Sequence, residues 1–179
     1  LTLRQNILIR HIREELLPFF YVELQKLGFA KAGYNSTADI TACPGTDTCN
    51  LGISSSTGIA VELEKVLEEE YPNYLNNKEI AIKISGCMNA CGQHNMANIL
   101  IGGGILGDGK GRFSDKLVKV PSKRGPESLR ILLNDVEENQ QEKETFLQYY
   151  DRQGKTYFYD LLKGLQDTTN LEPSDFIDW

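Results

Sequence analysis

Long apolar runs are missing from this chain, and so is any signal-peptide pattern in its first residues, which argues against a helical membrane span and sets the cytoplasm as the expected compartment. An excess of positive charge is missing too. With 25 acidic residues against 19 basic ones, the net charge of −6 argues against nucleic acid as a partner. No glycine-rich dinucleotide fingerprint appears, so no built-in flavin or nicotinamide site is expected. Cysteine is scarce and clustered: four residues in 179, all between positions 43 and 91. In a reducing compartment such thiols serve as ligands more often than as bridges. What remains is ordinary, since 40% hydrophobic content over 179 residues suffices for one domain with a full core.

The cysteines form two pairs, Cys43-Pro-Gly-Thr-Asp-Thr-Cys49 and Cys87-Met-Asn-Ala-Cys91. Brought together by folding, a C-x5-C loop and a C-x3-C loop would put four soft ligands around one centre, as a [4Fe–4S] cluster or a tetrahedral zinc requires. Zinc knuckles usually space their cysteines two to four residues apart, a range the first pair exceeds and the second just fits. Both pairs lie among Gly, Asn, Thr and Pro, which let the backbone wrap a large inorganic body. Spacing therefore favours the cluster, with zinc, disulfides or unligated thiols as the alternatives.

The opening run from Leu1 to Ile9 alternates apolar residues in strand fashion and has no initiating methionine, so the chain is expected to be part of a longer polypeptide. Leu16, Phe19, Phe20, Leu24 and Leu27 then recur at helical spacing, predicting a helix from Pro18 to Gly28. Residues 38–42 form a short extended run that delivers Cys43. The run Ser54-Ser55-Ser56-Thr57 offers N-caps for a helix turning Ile59, Leu63, Val66 and Leu67 inward, which Pro72 ends. Lys78 to Ser85 alternates Ile80, Ile82 and Ile84 against Glu79 and Lys83, a half-buried strand leading to Cys87. Strands are also expected over Ile99–Ile101 and Leu117–Val120. Six of the sixteen glycines fall between Gly102 and Gly111, as a flexible turn or a loop approached closely by something bulky. Helices are expected from Pro126 to Glu138, Lys143 to Gln153 and Thr156 to Leu165, followed by an acidic, poorly periodic stretch to Trp179. The expected fold class is α+β, a central mixed sheet flanked by helices.

Thr41-Ala42-Cys43-x5-Cys49 and Ser85-Gly86-Cys87-Met88-Asn89-Ala90-Cys91-Gly92-Gln93-His94 closely resemble the signature of sirohaem-dependent nitrite and sulfite reductases. The opening Leu1-Thr2-Leu3-Arg4-Gln5-Asn6 resembles the repeat where that family's ferredoxin-like half-domain meets its cluster domain. Val120-Pro121-x-Lys123-Arg124 and Asp175-Phe176-Ile177-Asp178-Trp179 are similar to its C-terminal part. The resemblance covers nearly the whole chain. It implies residues 1–12 as the end of a ferredoxin-like half-repeat and 13–179 as a [4Fe–4S]/sirohaem-binding domain.

It further implies that Cys43, Cys49, Cys87 and Cys91 hold a [4Fe–4S] cubane, with Cys91 also bridging to the sirohaem iron. Asn89 would sit beside the cofactors as a cofactor-binding residue or would only support the turn, while His94 is expected to support or pack rather than ligate. The implied activity is six-electron reduction of sulfite to sulfide or nitrite to ammonia. The implied partners are an N-terminal half of the same polypeptide, an electron donor such as ferredoxin or a flavoprotein, and a small inorganic anion as substrate. That family's anion-binding Arg and Lys side chains come largely from the N-terminal half, so catalytic residues are not expected here and the chain alone should be inactive and bind sirohaem weakly. Arg4, Lys123 and Arg124 resemble family positions near the cofactor cleft, or serve as solvated surface charges. Asn98-Ile99-Leu100-Ile101-Gly102 is shorter than the family pattern by roughly one strand and turn. The competing readings are a non-catalytic metal-binding module that keeps the fold, and an electron carrier with a cluster and no haem.

Overall fold

Apolar residues at helical spacing fold four helices onto one another. The computed structural model describes residues 1–2, 5–94, 104–105 and 111–179. Helix α1 spans Leu17–Lys26, α2 Ser56–Glu69, α3 Gly125–Asn139, α4 Phe146–Gln153 and α5 Lys155–Leu162. Leu63, Val66 and Leu67 of α2 meet Leu129, Leu132, Leu133 and Val136 of α3, and Phe146, Tyr149, Tyr150, Phe158 and Leu162 close the core from α4 and α5. Phe158 is fully buried, with Tyr150 stacked at 5.0 Å and the edges of Tyr149 and Tyr157 at 5.7 and 5.3 Å. A polar knot joins the same helices. The Asp135 carboxylate of α3 accepts from Tyr149 Oη at 2.5 Å, Tyr157 Oη at 2.5 Å and Asn139 Nδ2 at 3.1 Å.

Two ladders accompany the helices. Strand β1 (Thr41–Ala42) pairs in parallel with β2 (Lys83–Ile84), Thr41 opposite Lys83 and Ala42 opposite Ile84. Parallel neighbours need a crossover, and α2 supplies it between them. Strand β3 (Gly104–Ile105) pairs antiparallel with β4 (Gly111–Arg112), so the ends of the glycine-rich stretch meet. Among the described residues, no helix is long and apolar enough to cross a membrane.

The α+β class stands, but the described sheet is two separate two-stranded ladders rather than one central mixed sheet. Helix positions follow the sequence closely: Pro18 lies in the first turn of α1, Gly28 follows its end at φ 77°, and Ser55 caps α2 by accepting from the Gly58 N–H at 3.1 Å. Strand expectations fared worse. Around the opening, Thr2 and Asn6 close a turn through Gln5 at φ 63°, and Ile7, Leu8 and Ile9 are exposed without a ladder, because alternation makes a strand only where a partner strand accepts it. The expected 78–85 strand shortens to Lys83–Ile84, and Lys83, expected outward, is buried with Nζ donating to Gln93 Oε1 at 2.7 Å. Leu117 and Val118 pack against the helical core, and the Lys119 N–H donates to Gln166 Oε1 at 3.4 Å in place of a strand bond. The α1 stripe is not buried: Phe19 and Leu27 are exposed. The 99–101 strand and the 98–102 shortening lie outside the described residues.

Candidate metal centre

Parallel pairing of β1 with β2 places the chain leaving one strand beside the chain leaving the other. Cys43 follows β1 directly, and its N–H donates to Ile84 O at 3.2 Å. Two residues past β2, the Gly86 N–H donates to Cys43 Sγ at 3.2 Å, joining the two cysteine motifs through a sulfur atom. Gly86 also accepts through its carbonyl from the N–H groups of Ile53 and Ser54, at 2.8 and 3.2 Å. A side chain at Gly86 would meet Ser54 O at 2.5 Å and Gly45 Cα at 2.7 Å, so the loops pack too closely for any other residue. Gly92, just past Cys91, lies against the Ile84 carbonyl in the same way, and its N–H donates to Ser85 Oγ at 2.9 Å.

Cys43 is buried. Its Sγ lies 3.3 Å from Ser56 Oγ at the start of α2, and that hydroxyl donates to the Cys43 carbonyl at 2.5 Å. Burial pushes the Cys43 thiol up, but hydrogen bonds from the Gly86 N–H, Ser56 and the Gly45 backbone together hold it below its ordinary value. A lowered thiol is closer to the thiolate that ligates metal.

The other thiols are more open. Cys49 is held by its backbone, which donates to Gly45 O at 3.1 Å and accepts from the Gly52 N–H at 2.9 Å, while its side chain is exposed. Cys87 is half-buried and Cys91 is exposed. Met88 is 88% exposed, and Asn89 is exposed beside it. Among the described residues, no three Cys, His, Asp or Glu side chains converge as a metal-holding group. The fold thus gathers the four cysteine backbones around the β1–β2 end without gathering their sulfurs. In donor chemistry and number the set fits a thiolate-held cluster, with one N–H···S bond already in place.

Lys123 holds its Nζ 3.9 Å over the Trp179 ring, and Arg124 donates from Nη1 to Leu165 O at 2.8 Å and Asp167 O at 2.6 Å. Both therefore tie chain segments together. Arg4 lies outside the described residues. Half-buried His94 has its imidazole held below its ordinary pKa by burial and by Lys116, while its carbonyl accepts from Ser114 Oγ at 3.4 Å. Sequence reasoning missed Ser56 beneath Cys43. It had been one of several serines offered as caps, and nothing in the spacing marks a hydroxyl that the fold returns to a thiol 13 positions earlier.

No protein-family model matches the chain. It is similar to a sulfite reductase [NADPH] hemoprotein beta-component from Bacillus subtilis, 25% identical over an alignment of 188 positions that covers 96% of this chain and 31% of the relative. A ferredoxin–nitrite reductase from Synechococcus elongatus is 28% identical over 111 residues, 62% of this chain and 21% of the relative. An assimilatory-type sulfite reductase from Nitratidesulfovibrio vulgaris is 29% identical over 111 residues, 62% of this chain and 47% of its own length. Two paired-cysteine loops lie at one end of a parallel ladder in an α+β scaffold. These relatives are sulfite and nitrite reductases, and the chain is similar to them at 25–29% identity. It spans between 21% and 47% of the length of these three relatives.

Proposed function

We propose that this chain is the cluster- and sirohaem-carrying part of a longer cytoplasmic reductase that carries out the six-electron reduction of sulfite or nitrite. The observation that supports it most is the Gly86 N–H on Cys43 Sγ, which couples the two motifs at the end of one parallel ladder. Cys43, Cys49, Cys87 and Cys91 would hold a [4Fe–4S] cluster, and Cys91 would be shared with the sirohaem. When bound, these groups supply electrons one at a time to the anion. The chain's own residues do three things. The Gly86 N–H donates to the Cys43 sulfur and favours its thiolate while Ser56 holds the Cys43 carbonyl, Gly86 and Gly92 let the loops approach, and α2 fixes the first loop to the core. Residues 1–12 and 13–179 serve as the end of a half-repeat and the cluster domain of the nitrite/sulfite reductase type.

The rest of such a chain would bring the anion-binding cations and the cations that pair with the macrocycle's carboxylates. A ferredoxin or a flavoprotein would deliver the electrons. The relatives' greater length supports this division. Anaerobic reconstitution tests the reading. Iron and acid-labile sulfide in equal amounts, with broad thiolate-to-iron absorption, are expected, whereas zinc without sulfide sinks it. In the longer protein, sirohaem absorption bands separate a reductase from a simple electron carrier.

A further inference from the structure

The first cysteine loop is fastened from a part of the chain far away in sequence. Asp178 Oδ2 accepts from the Ser55 N–H at 2.7 Å and from Thr46 Oγ1 at 2.9 Å, while Oδ1 accepts from the Trp179 N–H at 3.0 Å. Thr46 lies inside the Cys43–Cys49 loop, and Ser55 is the N-cap of α2. One carboxylate therefore ties the Cys43–Cys49 loop to the N-cap of α2, one residue before the Ser56 hydroxyl that lies 3.3 Å from Cys43 Sγ. Its charge suits the place, because backbone N–H groups at a helix start favour an anion.

Trp179 keeps that carboxylate in position. Its Nε1 donates to Ser122 O at 3.2 Å, the Lys123 ammonium sits 3.9 Å over its ring, and its Cβ lies where a side chain on Gly58 would have to go. Gly58 thus leaves room for the tryptophan against the first turn of α2. The Asp178 carboxyl is held below the usual range chiefly by the Ser55 N–H, then by Thr46, the Trp179 N–H and Lys123, against the opposing effect of burial.

We infer that Asp178 is a positioning residue for the cluster: through Thr46 and Ser55 it latches the Cys43–Cys49 loop against α2 and so sets how firmly the first two ligands are held. This rests on the cluster reading, yet the latch is measurable without iron. The experiment compares wild type with Asp178→Ala and Asp178→Asn on the full chain, first free of metal. Site-resolved iodoacetamide alkylation is read as the ratio of the buried Cys43 to the exposed Cys91, and amide exchange is followed at Thr46, Ser55 and the α3 core.

Asp178→Ala should raise the Cys43:Cys91 ratio several-fold and speed exchange at Thr46 and Ser55 about tenfold, with α3 unchanged. Asp178→Asn, which keeps an acceptor oxygen, should fall between. After reconstitution, the alanine variant should lose iron to a chelator several-fold faster. An unchanged ratio overturns the latch, and so does a rise at Cys43 matched by equal loss of protection in α3, which is general destabilisation. Failure of the wild type to take up iron and sulfide would instead overturn the cluster reading, leaving the alkylation ratio to decide the latch.

Discussion

The stretch from Leu1 to Tyr34 and the layer of α2 to α5 are similarly rich in large apolar residues, yet they spend them differently. Among the described residues of the first, none is buried, and Ile7, Leu8, Phe19, Leu27, Phe29 and Tyr34 are all at least 60% exposed. In the second, Leu67, Tyr149 and Phe158 reach 0% exposure. The first is tied on by polar contacts, Gln5 Nε2 to Ala42 O at 2.7 Å and Asn6 Nδ2 to Asp39 Oδ1 at 3.0 Å. A helical pattern alone therefore did not tell which helix has a partner. The cysteine site lies where the two regions meet: Ala42 receives Gln5, and the next residue is Cys43.

The sharpest way to break this contrast is to truncate the centre of the helical layer. Phe158→Ala should cost about 3–5 kcal/mol through the cavity left among three tyrosines, measured by denaturant unfolding. A loss under about 1 kcal/mol would mean that the layer is not the stabilising unit. Asp135→Ala should cost about 1–3 kcal/mol, because it leaves the Tyr149 and Tyr157 hydroxyls without their acceptor. Equal Tm for this variant and wild type would show that the knot is dispensable.

A pH series sharpens the picture at the layer's surface. Arg152 Nε and Nη2 grip the two Glu144 oxygens at 2.7 and 2.8 Å, and that hydrogen bonding holds the carboxyl down at about 2 against a usual 4.5. A depressed acid contributes its stability above the unfolded value and loses it as pH falls through the folded one. Glu144→Gln should therefore lower Tm slightly near neutral pH, and the difference should fade between about pH 4.5 and 2. A difference that persists below pH 2 would assign the effect to something other than this pair. The smallest effect is expected in the first region: Phe19→Ser should change stability by less than about 0.5 kcal/mol in this chain. A loss of several kcal/mol would place Phe19 in a packed interior and erase the comparison.

Much of the molecule was legible in advance. Pro18, Gly28 and the serines before α2 marked helix ends, because caps act within a few residues of where they stand. The two cysteine motifs stood out by their spacing, whereas the close approaches at Gly86 and Gly92 emerged only from the fold. Strands were misjudged in the described part of 1–9, at 78–85 and at 117–120, because alternation records which side chains could face a core but not whether a neighbouring backbone will pair. Lys83 shows the same limit, since its place in the alternation pointed outward while its ammonium finds Gln93 in the interior.

The amino-acid order by itself determined the helix ends and the grouping of the four cysteines into two short motifs, because those depend on residues within a turn or two of one another. Folding alone decided that the Gly86 N–H and the Ser56 hydroxyl reach the Cys43 sulfur, and that Asp178 returns to clasp Thr46 and Ser55. Such contacts span 43, 13, 132 and 123 positions, distances over which no local preference acts and only the packing of the whole chain fixes who meets whom.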